Sequence, residues 1–273
     1  MSKKGFEQLK ANTHAMSTLA IVLIVIIVVG AVVATGAFLW WWWRGAFEPS
    51  GLIAGSGNVI TEDKDFSDFQ IVKVGWAFEV EITQASLYSV NVTADDNLFD
   101  YIEVSRTDHT LTIGLKSGYN YRPQWPWTRL TLRAEITMPD LYELQLSGAT
   151  RGTVEGFSSS HKFILDLSGA SSLTGDFTTS EDAQFTVSGA STAELEGAAN
   201  NLTISASGAS HLELPDFPVY NADVTLSGAS RATVNLDGRL DADVSGASQL
   251  FYIGNPTMGD VNTSGASTVG KKQ

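Results

Sequence analysis

Seven copies of one tetrapeptide govern what this chain can fold into. Ser147-Gly148-Ala149-Thr150 is the first, and Ser-Gly-Ala-Ser begins again at Ser168, Ser188, Ser207, Ser227, Ser245 and Ser264. The step between copies stays nearly constant, at roughly 20 residues. A unit of about 20 residues is too short to bury a hydrophobic face alone, so such units must stack as a solenoid.

Alignment on the first Ser of each copy gives the register. One residue before it stand Leu146, Leu167, Val187, Ala206, Leu226, Val244 and Thr263, and three before it stand Leu144, Leu165, Phe185, Ile204, Val224, Ala242 and Val261. These nearly all apolar columns must face inward, while the column between them, from Gln145 and Asp166 to Asn262, is polar and faces out. After the corner the alternation resumes: Gly152, Leu173, Ala193, Leu212, Ala232, Leu250 and Val269 point in, followed by Val154, Gly175, Leu195, Leu214, Val234 and Tyr252. Each repeat therefore reads as strand, small-residue corner, strand and variable turn. Parallel stacking of such units, about 4.8 Å apart, makes a β-helix. The corner glycine supplies the bend or the close backbone approach.

Upstream, the alternating segments 69–74, 78–82, 88–92, 101–104 and 110–115 predict further strands with one buried face. At the N-terminus, the run from Thr18 to Leu39 contains no charged side chain. As a helix rising about 1.5 Å per residue it would reach roughly 33 Å, enough to cross a bilayer. Lys3, Lys4 and Lys10 before it favour a cytoplasmic N-terminus, and Trp40 to Trp43 after it suit the outer interfacial belt. A cleaved secretory signal is the rival reading, although the apolar run is longer than the short apolar core of such signals. Either reading exports the rest. The expected organisation is a cytoplasmic tail (1–16), a transmembrane helix (17–43), a linker (44–56), a strand-rich part of the head (57–140) and the repeat solenoid (141–273).

The serial Ser-Gly-Ala-Ser corners, together with the segments Val90 to Leu98 and Thr110 to Leu115, resemble the family called putative auto-transporter adhesin, head GIN domain. The resemblance covers roughly residues 57–270. It implies an envelope-exposed, right-handed β-helix of bacteria connected with adhesion, and it brings no catalytic residues. Right-handedness also agrees with the general preference of parallel crossovers. The fold class expected is thus all-β, a right-handed parallel β-helix of about 20-residue coils behind one transmembrane helix.

Charge separates across the expected membrane segment. Residues beyond 44 hold 13 Lys and Arg against 29 Asp and Glu, a net charge of −16. Such a surface repels phosphate backbones, so nucleic acid is not an expected partner. Cysteine is absent, so no disulfide staples the fold.

Two places offer chemistry. The segment Tyr119-Asn120-Tyr121-Arg122-Pro123-Gln124-Trp125-Pro126-Trp127 is an expected ligand-binding loop, in which Tyr119, Tyr121, Trp125 and Trp127 present flat faces to sugars or headgroups and Arg122 meets acidic groups. The bland alternative is a loop that caps the open end of the solenoid. Four residues before the motif, Asp223, Asp241 and Asp260 fall in neighbouring coils, with Asp243 on the same face. Like charges opposite one another destabilise adjacent strands, and Ca2+ would offset that cost; a solvated acidic edge needs no ion. No cofactor is otherwise required.

No Gly-x-Ser-x-Gly elbow occurs, and His109, His161 and His211 read as surface residues. The chain is therefore expected to be no enzyme but a cell-surface binding or adhesion-like module at the cell membrane. Its expected partners are the membrane, a surface glycan or an envelope protein, and another copy joined end to end at the incomplete last coil. A sensor or structural partner of another membrane protein is the main alternative. A carbohydrate-active enzyme built on the acidic column is the lesser one.

Overall fold

The computed structural model describes residues 55–117 and 130–272, with the backbone of two short strands at 52–53 and 120–121. The expected membrane segment 17–43 lies outside the described residues. Among the described residues no helix is long and apolar enough to cross a membrane.

The alternating sequence produces a β-solenoid of about six turns. Two sheets form its walls. One runs through Ile71–Val74, Glu143–Leu146, Phe163–Leu167, Ala183–Val187, Asn201–Ala206, Asn221–Leu226, Arg239–Val244 and Thr257–Thr263, each strand parallel to the next. The other runs through Glu79–Gln84, Arg151–Ser159, Ser172–Thr179, Thr192–Ala198, His211–Val219, Arg231–Leu236, Gln249–Ile253 and Thr268–Lys271, again parallel. The register predicted from the motif holds: Leu146 lies opposite Leu167, Leu167 opposite Val187, and Gly152 opposite Leu173. One inward column departs from simple alternation. Gly175 is only half-buried and lies opposite Val154, just before a β-bulge in which Glu155 and Gly156 oppose the single residue Asp176.

Beyond the bulge Phe157 and Phe177 turn inward, where Phe177 packs against Phe163 of the other sheet, beside Phe185 of the predicted inward column. Phe157, Phe163, Phe177, Phe185 and Phe217 are all at most 2% exposed. Phe163 and Phe177 stack with centroids 3.8 Å apart, and Phe185 meets Phe217 at 5.7 Å. Full burial of such a side chain contributes about 1.5 to 3 kcal/mol, so this aromatic spine is a main source of stability in a chain without disulfides.

The corners explain the tetrapeptide residue by residue. Every motif glycine has φ between +74° and +80°, a region that side chains disfavour. A Cβ at Gly208 would also sit 2.4 Å from the carbonyl oxygen of Gly189 in the coil before. Both demands select glycine. The next residue holds the stack together: Ala170 N–H donates to Gly148 O at 2.7 Å, Ala190 to Gly169 at 2.8 Å and Ala209 to Gly189 at 2.7 Å, onward to Ala266. The fourth residue turns inward, where Thr150, Ser171, Ser191, Ser210, Ser230 and Ser248 are at most 2% exposed. Their burial is tolerable because their hydroxyls are partnered. Ser171 Oγ donates to Ser168 O at 2.9 Å and Ser210 Oγ to Ser207 O at 2.6 Å.

The N-terminal end is built differently. Ser89–Asp95 lies antiparallel between Val59–Asp63 and Leu132–Met138, and Ile102–Thr107 lies antiparallel on Thr110–Leu115. Within this part a coil of solenoid geometry precedes the first motif. Ile71–Val74 and Glu79–Gln84 pair with the first motif's two strands, and the corner between them is Gly75-Trp76-Ala77-Phe78.

Candidate functional site

That first corner carries the least expected side chain of the described surface. Trp76 occupies the place of the motif glycine: Ala149 N–H donates to its carbonyl, and a Cβ on Gly148 would meet that same oxygen at 2.3 Å. Its φ is +73°, matching the glycines above it. A bulky residue in this conformation is an outlier that its surroundings must enforce.

The geometry of the neighbouring strand frames the indole. The strand Thr110–Leu115 lies beneath Ile71–Val74 and carries no Ser-Gly-Ala-Ser tetrapeptide. The indole lies beside Gly114, where a Cβ would stand 3.7 Å from its Cδ1. Trp76 remains 42% exposed. Beside it opens a groove of about 840 Å3. Its polar wall is one outward row in direct register, Thr112, Lys73, Gln145 and Asp166, with Glu103 across from Gly114. Its far wall is the line of small corners at Ser147, Gly148 and Ser168. Burial first, and then the nearby Glu143 carboxylate, hold Asp166 above its usual pKa, while Lys73 works in the opposite direction.

A second groove, of about 690 Å3, follows the bulges of the other sheet. Glu155, Asp176, Glu194, Glu196, Glu213 and Asp216 line it. Glu194 faces Glu213 directly and Asp176 faces Glu196. Lys272 answers part of this charge at 3.0 Å from Glu213. Burial pulls the Glu213 pKa up, but hydrogen bonds from Lys272 and Thr233 and the charges of Lys272 and His211 leave it below the usual value.

The residues singled out in the sequence fall as follows. Tyr119, Arg122, Trp125 and Trp127 lie outside the described residues. Tyr121 is placed only by its backbone, in a two-residue strand parallel to Leu52–Ile53. Asp223 stands directly opposite Asp241, and Asp243 lies between Thr225 and Asn262. The register slips between Leu240 and Ala242, so Asp260 is offset, with its own N–H donating to Asp241 Oδ1 at 2.8 Å. The countercharge here is Arg239, missed in the sequence, which grips Asp241 at 2.6 and 2.7 Å and reaches Asp260 at 3.7 Å. That grip, with the Asp260 N–H, holds the Asp241 pKa low. Among the described residues no group of three or more His, Cys, Asp and Glu is placed to hold a metal ion.

His161 and His211 each face a carboxylate, Asp140 at 3.5 Å and Glu213 at 3.2 Å. Ser159 Oγ donates to Asp140 at 2.8 Å instead of to the His161 ring, so the imidazole is not set to take its proton.

Comparison with known proteins agrees with this architecture. Residues 68–256 match the family model described as putative auto-transporter adhesin, head GIN domain. Curated proteins give no match. Among solved structures, a putative adhesin from Bacteroides fragilis shares 20% identity with a TM-score of 0.71, covering 81% of this chain and 100% of that one. A putative adhesin from Parabacteroides merdae shares 18% identity with a TM-score of 0.61, covering 82% and 100%. A putative lipid binding protein from Parabacteroides distasonis shares 18% identity with a TM-score of 0.61, covering 81% and 99%. At these identities the likeness is one of fold.

Proposed function

Because the chain belongs to the putative auto-transporter adhesin, head GIN domain family, we propose that it is a membrane-anchored, cell-surface β-solenoid acting as a non-catalytic binding module. The observation that carries this reading is the pair of open grooves on a stiff, continuously hydrogen-bonded scaffold. A rigid wall of parallel strands presents side chains with little entropy left to lose, which favours recognition over turnover. The uncharged segment from Thr18 to Leu39 supplies a single-pass anchor with the N-terminus inside and the solenoid outside.

Residues 52–273 form one compact unit and serve for the test. The purified unit is titrated against isolated cell envelopes, purified envelope glycans and phospholipid vesicles; the vesicles are included because one structural neighbour is described as a lipid binding protein. A Trp125→Ala, Trp127→Ala double variant runs alongside. Saturable binding to any of the three supports a recognition module, and loss in the double variant assigns the aromatic loop to it. A well-folded unit that binds none of them overturns the proposal.

A further inference from the structure

Just ahead of the strand Val59–Asp63, the stretch from Gly55 to Asn58 meets a turn of acidic and amide side chains, Asp95 to Asn97. We propose that this junction is a Ca2+ site, anchored by the buried Asp95 carboxylate, with Asp96, Asn97 and Ser56 supplying further oxygens.

The first observation is an oxygen without a partner. Asp95 ends the strand Ser89–Asp95, in which Val90, Val92 and Ala94 face the core. Alternation assigns Asp95 to the outer face, yet it is only 2% exposed. Its Oδ1 accepts the Gly57 N–H at 2.7 Å. Its Oδ2 is buried with no hydrogen-bond partner, and no other buried side-chain oxygen or nitrogen among the described residues is left so. Among the described residues no lysine, arginine or histidine forms an ion pair with Asp95 or Asp96. A buried carboxylate oxygen in that state is costly, and a bound cation offsets the cost.

The second observation is how the chain is laid over this carboxylate. A Cβ at Gly55 would fall 2.6 Å from Oδ2 and 2.7 Å from Oδ1, so the close passage requires glycine. The residues that follow are clipped to the turn. Ser56 N–H donates to Asn97 Oδ1 at 2.9 Å, Ser56 Oγ donates to Asp96 Oδ1, and Asn58 Nδ2 donates to Asp96 Oδ2 at 2.9 Å. Three successive side chains of the turn therefore end on one three-residue stretch.

The third is the chemistry of the donors. All are oxygens, with neither thiolate nor imidazole among them, which selects a hard cation. Asp95 and Asn97 stand two residues apart, the spacing at which calcium loops place oxygen ligands on alternate positions. Two carboxylates suffice, because Ca2+ also takes amide, hydroxyl, backbone carbonyl and water oxygens. Mg2+ demands near-ideal octahedral order and keeps its waters, so a mixed, irregular set favours Ca2+. Hydrogen bonds from Ser56, then from Asn58, hold the Asp96 carboxyl below its usual pKa and so keep it charged. The rival occupant is a water donating to Oδ2, which would satisfy the oxygen without balancing its charge.

The test uses the full chain in micelles of a neutral detergent, stripped with a chelator, dialysed and titrated calorimetrically with CaCl2. MgCl2 forms a separate arm. We expect one saturable Ca2+ site with a Kd no weaker than about 10−3 M, the range of extracellular calcium modules, and a higher unfolding midpoint in Ca2+. Asp95→Asn keeps an acceptor for the Gly57 N–H but removes the charge, and is expected to weaken binding about tenfold or more. Asn97→Asp keeps the acceptor for the Ser56 N–H and adds a charge, and is expected to tighten binding about threefold or more. Should Asp95→Asn fail to fold, Asn97→Asp decides alone. Asp223→Asn, in the acidic column of the other sheet, is expected to bind as the parent does.

Absence of saturable Ca2+ binding by the parent overturns the proposal, as a lone water would predict. So does Mg2+ binding as tight as Ca2+, or an affinity that neither Asp95→Asn nor Asn97→Asp changes. An equal loss in Asp223→Asn would replace the site with diffuse attraction to an acidic surface. Each readout is of the ion alone, so the result stands apart from whether the solenoid binds envelopes.

Discussion

The corner at Trp76 and the seven corners above it share one backbone path and differ in what they do with it. In the motif corners, glycine meets the positive φ and the close approach, alanine carries the ladder hydrogen bond, and a buried hydroxyl fills the inside of the turn. In the first corner the same path carries an indole on the outside and Phe78, 1% exposed, on the inside. The repeated corners show what the stack requires. The odd corner shows where a different demand has overridden it, and the groove lies there.

The sharpest way to break this comparison is to place a side chain at a motif glycine. Gly208→Ala combines φ of +80° with a Cβ 2.4 Å from the Gly189 carbonyl oxygen. We expect a loss of about 3 to 4 kcal/mol by urea unfolding, in the range of strained or overpacked core sites. Gly156→Ala is the control, since φ there is +74° but nothing lies within 4 Å of a Cβ. It should lose about 1 to 2 kcal/mol, the backbone term alone. Equal losses at the two sites would show that the close approach is not what selects glycine.

Removal of a buried corner hydroxyl comes next. Ser210→Ala deletes the donor to Ser207 O and Val187 O and is expected to cost about 1 to 2 kcal/mol. No measurable change would mean that the inward serines serve only as small residues. Trp76→Gly should move stability the other way, by up to about 1 kcal/mol, as the unfavourable φ is relieved and some indole packing is lost. A large destabilisation would make Trp76 a structural cap of the stack.

The smallest effects are electrostatic and of opposite sign. Asp166 has a raised pKa, so its contribution is fully favourable only below the ordinary carboxylate range and is lost as pH rises through the folded value. Asp166→Asn should therefore stabilise at pH 7, and the gain should disappear under acid. Glu213 has a lowered pKa, so its contribution is present above the ordinary range and lost as pH falls through the folded value. Glu213→Gln should destabilise at pH 7 and lose its effect under acid. Matching pH profiles for the two variants would contradict the opposite environments of the two grooves.

Much of this architecture was legible because two periods coincide in the letters, the alternation along each strand and the recurrence of the tetrapeptide once per coil. Leu144, Leu165, Phe185 and Ile204 could be aligned without coordinates, and they stack in that register. The first corner could not. It shares only Ala77 with the tetrapeptide, and the strands between Gln84 and Leu141 separate its coil from the next, so no fixed step leads back to it. What makes Trp76 a corner residue is φ and a carbonyl–amide contact, neither of which the alphabet records. The inward serines were hidden for a related reason, since serine also fills the outer face and only its hydrogen bond to the residue three before it reveals which way it points. Arg239 was missed because an apolar-column reading gives no weight to a charge at the edge of a strand.

The alanine-to-glycine ladder also bears on how such a chain changes length. Each rung joins only one corner to the next, with the same donor and the same acceptor. A whole unit duplicated between two others would meet on both sides the partners it already has. Additions of one full coil therefore extend the scaffold without renegotiating any existing contact, whereas an insertion within the tetrapeptide would displace every rung beyond it. Length becomes a quantity that can vary by simple copying, with the surface at the first corner left untouched.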